Sequence, residues 1–151
     1  MLRKTVAVVF ALVLTGCGSR PPAAADRQWR ANARGVAQQL RQDVVAVSSF
    51  DRGPLARAGL RNDSQLYGLL VSHTDFGGCA HMVAALGDAP PSLEPARRLL
   101  ATGCARLRVA DGFFTRAVAR DEPQLLVRAT LAAQQALAPL ERAELALRAS
   151  A

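Results

Sequence analysis

Both histidines of the chain, one aspartate and two adjacent glycines fall within nine residues, His73-Thr74-Asp75-Phe76-Gly77-Gly78-Cys79-Ala80-His81. Imidazole and carboxylate are ligands that metal ions take up, and a glycine pair lets a backbone or a ligand come close. His73, Asp75 and His81 are therefore the residues to weigh as a metal or small-ligand site. On a continuous helix, however, His73 and His81 stand about 80° apart around the axis and about 12 Å apart along it. That is too far to share one ion unless Gly77-Gly78 bends the chain. The competing reading is an ordinary packed or solvated imidazole at each position, with the glycines serving helix contact at a cost of about 1 kcal/mol each relative to Ala.

Elsewhere the chemistry is defined by what is missing. The only lysine is Lys4, which excludes Schiff-base lysines, the phosphate-loop lysine and Ser-Lys hydrolysis from the body of the chain. No GxSxG, HExxH or CxxCH occurs, and none of the four glutamates, Glu94, Glu122, Glu141 and Glu144, stands three residues from a histidine. A carboxylate metal cage of the di-iron type is thus not encoded. The sequence reads as non-enzymatic and implies no cofactor.

The three cysteines divide into one and two. Arg3 and Lys4 precede a continuous apolar run from Thr5 to Leu14. At about ten residues that run has the form of a secretory signal and is too short for a membrane span. It ends in Leu14-Thr15-Gly16-Cys17, with a branched apolar residue, two small residues and then cysteine. This resembles the lipobox of bacterial lipoproteins, and the resemblance covers only these first seventeen or so residues. It implies cleavage between Gly16 and Cys17, a thioether-linked diacylglycerol on Cys17, and further acylation (palmitate) of the new amino group. Two or three acyl chains hold a protein stably where one does so marginally. An ordinary signal peptide with a chance cysteine is the other reading. Gly18, rather than Asp, follows the cysteine, which leaves membrane and leaflet open; in a Gram-negative cell the outer membrane is expected.

Cys79 and Cys104 remain. In an exported chain a lone pair is most simply a disulfide. The midpoint between them falls in Pro90-Pro91-Ser92, so in an antiparallel hairpin turning there the two sulfurs stand at the same height on apolar helix faces.

The elements that must position these residues are helical. The chain has 30 Ala, no Ile and only 5% aromatic residues, a composition that favours helices over sheet. Residues 1–16 are assigned to the signal peptide, 17–25 to the lipidated cysteine and a flexible small-residue tether (GSRPPAAA), and 26–151 to one domain. Trp29, Ala33, Val36, Leu40, Val44 and Val47 give a helix over 26–50 capped by Asp26. After the Asp51-Arg52-Gly53-Pro54 breaker and a short helical turn over 54–61, a second helix opens at Asn62, Asp63 or Ser64. It carries Leu66, Leu69, Leu70, His73, Phe76, Ala80, Val83 and Leu86 on one face. Gly87 to Ser92 makes a turn, with Ser92 capping a third helix over 93–121. A fourth starts at Glu122-Pro123, repeats Leu126, Ala133, Leu140 and Leu147, and should kink or break at Pro139. Four such helices with short connections give an all-α, up-down antiparallel four-helix bundle.

The formal charge is +7, and from Cys17 onward 17 Arg still oppose 12 acidic residues. Arg27, Arg34 and Arg41 repeat every seven residues with Arg20 and Arg30 close by, so Arg20, Arg27, Arg30 and Arg34 form a candidate membrane-facing stripe. Each charge near an anionic surface adds about 1 kcal/mol. A solvated outer face is the competing reading, and core packing is favoured for Trp29 over a place at the lipid interface. Export and the lack of interleaved aromatics exclude nucleic acid as a partner. The expected function is that of a lipid-anchored, extracytoplasmic, non-enzymatic interaction or structural module of the cell envelope, with the membrane and an envelope protein as partners. The alternative is a small-ligand or metal carrier using the bundle interior or the His73 to His81 segment.

Overall fold

The computed structural model describes residues 22–52 and 63–149, which form helices and their connections with no strand among the described residues. Cys17, Arg20 and the short turn expected over 54–61 lie outside the described residues.

Helix α1 runs Pro22–Arg52. It begins earlier than expected: residues 22–25, assigned above to a flexible tether, form its first turn, and Asp26 lies inside the helix instead of capping it. A proline fits the first helical position because its missing N–H has no intrahelical partner there, and the three alanines that follow are the best helix formers. The inner face is the periodic one: Trp29, Ala33, Leu40, Val44 and Val47 are buried, with Ala37 joining them and Val36 half-buried. Trp29 is therefore a core residue.

The single second helix expected over 62–86 is two helices, α2 (Ser64–Ser72) and α3 (Cys79–Ala85). Asp63 starts α2 by accepting a hydrogen bond from the Leu66 N–H at 2.9 Å. Ser72 and Thr74 end it, since their hydroxyls donate to the carbonyls of Leu69 and Val71 and draw acceptors away from the next turn. The Gly pair thus sits in a connection, where its helix penalty does not arise. The break also resets the phase. Leu69, His73 and Ala80, expected inside, are exposed, whereas Val71, Phe76, Cys79 and Val83 are buried.

Gly87, in the left-handed region at φ 70°, closes α3 as expected. A 3-10 turn, Pro91–Leu93, leads into α4 (Glu94–Arg120). Ser92 belongs to that turn and does not cap α4. The end of α4 is set by Asp121 at φ 51°, which lets the Glu122 N–H donate back to the Ala117 carbonyl at 3.0 Å. The last segment again divides, into α5 (Gln124–Gln134) and α6 (Leu137–Ala149). Pro139 lacks the N–H that the Gln135 carbonyl would receive in a continuous helix, and the chain breaks at residues 135 and 136.

The long helix α4 packs against α2, α3, α5 and α6, while α1 covers α5 and α6. Ala is prominent throughout this interior, which lets backbones approach. At Gly103 the approach is close: a Cβ there would lie 2.8 Å from Leu140 Cδ2 of α6. The Cys79–Cys104 disulfide forms, with Cα atoms 5.5 Å apart, and pins α3 to α4. Closing its loop contributes about 3 kcal/mol on the chain-entropy model.

Two outcomes are expected. Gly103→Ala forces Leu140 to move and costs about 1–3 kcal/mol in urea unfolding; an unchanged midpoint would show that α4 and α6 are not in van der Waals contact there. The double variant Cys79→Ala, Cys104→Ala lowers the melting temperature by on the order of 10 °C, and reductant, which destabilises the parent chain, leaves the variant's melting unchanged.

Candidate functional site

A buried acid holds the break between α2 and α3. Asp43 on α1 is 8% exposed. Its Oδ2 accepts a hydrogen bond from the Asp75 backbone N–H at 3.0 Å, and its Oδ1 accepts one from Gln39 Nε2 at the same distance. A carboxylate taking a backbone donor stabilises an irregular connection much as a helix cap does. It costs desolvation in return: burial pushes the Asp43 carboxyl above the ordinary aspartate value, against the lowering effect of its two hydrogen bonds. Just behind this pin, Phe76 is fully buried and stacks with Phe114 of α4, ring centroids 6.4 Å apart.

With the segment fixed in this way, His73, Asp75 and His81 are all exposed. His73 caps the end of α2, Asp75 lies in the connection and His81 is in the first turn of α3. Among the described residues no three His, Cys, Asp or Glu side chains gather as metal ligands. Of the expected set, only the Asp75 backbone N–H is engaged by α1.

The concave feature of this region lies beside the histidines. A groove of about 630 Å³ runs between α2 and α4 and is floored by the connection at Thr74, Gly77 and Gly78. Gly68 brings its walls together, since a Cβ there would stand 2.8 Å from Val118 Cγ2. Leu69 and Val71 line the groove from α2, and Asp111, Phe114, Thr115 and Val118 line it from α4. Phe76 and Phe113 are not among its lining residues. Phe113 is instead half-buried under the Arg116 guanidinium, 4.8 Å from its ring centroid.

The basic stripe of α1 is only partly free. Arg27 is exposed, but Arg34 donates from Nη2 to the Leu147 carbonyl at 2.6 Å, and Arg41 donates from Nε to Glu144 at 3.0 Å. Glu144 is 6% exposed and also meets Arg148 at 3.4 Å. A cation at the last turn of α6 satisfies an orphan carbonyl and opposes the helix dipole. The seven-residue repeat of Arg34 and Arg41 therefore serves the seam between α1 and α6. Arg30 is half-buried, which leaves Arg27 as the water-facing residue of the described part of the stripe.

Asp43, Asp111 and Glu144 were not singled out from the sequence, although each stands three and four residues from apolar neighbours. No protein-family model, curated protein or solved structure matches this chain.

The raised Asp43 value fixes the sign of a pH effect. Between the ordinary aspartate value and the higher folded one, the folded chain holds the proton that the unfolded chain has released. Stability from this group is therefore complete at low pH and declines as pH rises through that window. An Asp43→Asn variant keeps an oxygen for the Asp75 N–H and removes the charge. The stability of the parent relative to this variant is expected to fall as pH rises above the ordinary aspartate value of 3.8. Urea midpoints of both chains measured upward from that value test it, and a difference that rose or stayed level would contradict the assignment.

Proposed function

We propose that this chain is a membrane-anchored, non-enzymatic lipoprotein of the bacterial cell envelope, held by lipid on Cys17 at the extracytoplasmic face and acting as an interaction or structural module. In this reading α1, the broken pair α2 and α3, α4, and the broken pair α5 and α6 are the four arms of an up-down bundle. The membrane is reached through the anchor, and Arg27, with Arg20 nearer the cysteine, is the basic residue best placed to meet headgroups.

One observation carries the interaction role. The interior is filled by apolar side chains, yet aliphatic residues remain in water on the α4 and α5 hairpin. Val127 and Leu131, one turn apart on α5, are 57% and 54% exposed, and Val109 on α4 is 52% exposed. Arg106, donating to Gln135 at 2.8 Å, ties the two helices together next to them. A single exposed aliphatic is ordinary, whereas a set of them on adjoining helices suits a partner that covers it.

The carrier reading is the second, and the groove between α2 and α4 favours it. It uses Thr74, Gly77 and Gly78 from the segment first suspected of binding, although neither histidine lines it.

Cells fed radiolabelled palmitate should incorporate it into the parent chain and not into Cys17→Ser; a labelled serine variant or an unlabelled parent would defeat the anchor. With the anchor intact, the double change Val127→Asp, Leu131→Asp should leave folding and labelling unchanged while abolishing an in-cell crosslink placed on α5. A crosslinked species that persists in the variant would remove this face from the interaction.

A further inference from the structure

Asp111 is a half-buried carboxylate that makes no hydrogen bond or ion pair with any described residue, in a chain with 18 arginines. The other acids of the interior are matched: Asp43 by two donors and Glu144 by two guanidiniums. Arg108 stands one turn before Asp111 and does not pair with it, while Arg116 is turned to the Gly112 carbonyl and the Phe113 ring. A carboxylate partly withdrawn from water and left without a counter-charge is costly unless something else supplies one.

Asp111 lines the groove between α2 and α4. We propose that this groove binds a small amphipathic amine, its apolar part against Leu69, Phe114 and Val118 and its cationic head on the Asp111 carboxylate. The inference rests on the carrier reading and names the ligand class for it.

Three features fit this occupant. A volume of about 630 Å³ lies in the range of small-molecule sites, where a mainly apolar wall gives affinity and few polar groups give orientation. Among the described lining residues none is basic and Asp111 is the charged one, so within that lining an ammonium meets a counter-charge and forms a charge-assisted hydrogen bond, whereas a fatty acid or a phosphate-bearing headgroup does not. The carboxylate is also kept open. A Cβ on Gly77 would come within 3.2 Å of Asp111 Oδ2, so glycine leaves that side of the oxygen clear. The Asp43 bond to the Asp75 N–H fixes the connection carrying Gly77 in the folded chain, so the ligand need not order it.

Isothermal titration of the full chain with octylamine, octanol and octanoate, each below micelle formation, separates charge from chain length. Octylamine is expected to bind at least tenfold tighter than octanol, and octanoate weakest. Asp111→Asn, which breaks no hydrogen bond or ion pair among the described residues, should bring octylamine to the level of octanol without lowering the melting temperature of the free chain. Thr115→Phe, on the exposed rim, narrows the groove and should weaken all three together. Equal affinity for the three probes, or an amine preference that survives in Asp111→Asn, overturns the amine assignment and leaves an apolar carrier standing. No binding of any probe overturns both.

Discussion

An interior built from alanine imposes one condition on everything else: the helices must come close. A buried methyl group contributes only about 0.8 kcal/mol, against about 1.5–3 kcal/mol for a buried leucine or phenylalanine, so the chain cannot rely on large side chains to span wide gaps. The long helix α4 meets this condition with small residues on its inner face, Ala96, Gly103, Ala110 and Ala117, set between Leu100, Leu107 and Phe114. Where Gly103 receives Leu140, α6 lies against the backbone of α4. Where Cys104 meets Cys79, a covalent link holds the short helix α3, which has few side chains of its own to bury.

Short helices fit this scheme better than long ones. A straight helix can keep a small-residue contact with its neighbour over only a few turns before the crossing angle carries the axes apart. Breaking the segments 64–85 and 124–149 lets α2, α3, α5 and α6 each pack on α4 as separate short helices. The two breaks have different chemistry. At residues 135 and 136 the cause is the missing donor of Pro139, whereas at residues 73–78 side-chain hydroxyls end α2 and a buried carboxylate from α1 receives the connection. The second arrangement creates a concave surface, because the gap that opens between α2 and α4 is floored by glycines.

These differences explain what could be read in advance. The helical class, the core face of α1, the disulfide and the weakness at Pro139 all follow from local pattern: period, cysteine spacing, and a residue with no N–H. The break after Ser72 does not, because it depends on Asp43, thirty-two residues earlier in the chain. Without that contact, the apolar phase through Leu69, His73 and Ala80 looks continuous. The arginine repeat on α1 misleads in the same way. Its spacing is regular because α6 runs alongside it, with Leu147 and Glu144 one turn apart to receive Arg34 and Arg41. The sequence nevertheless carries a signal for the acids at Asp43, Asp111 and Glu144. Asp43 lies beside Leu40 and Val47, Asp111 beside Leu107 and Phe114, and Glu144 beside Leu140 and Leu147, each acid interrupting an apolar stripe at helical spacing.

The disulfide has a consequence for how the domain withstands proteolytic cleavage. It joins the two helices on either side of the Gly87 to Ser92 turn, which is well exposed at Gly87, Asp88, Pro91 and Ser92. A protease cutting the peptide backbone in that turn would divide the polypeptide without separating its parts. Cys79 would still tether the N-terminal fragment to α4 and the helices that follow. The nicked molecule would remain one covalent unit.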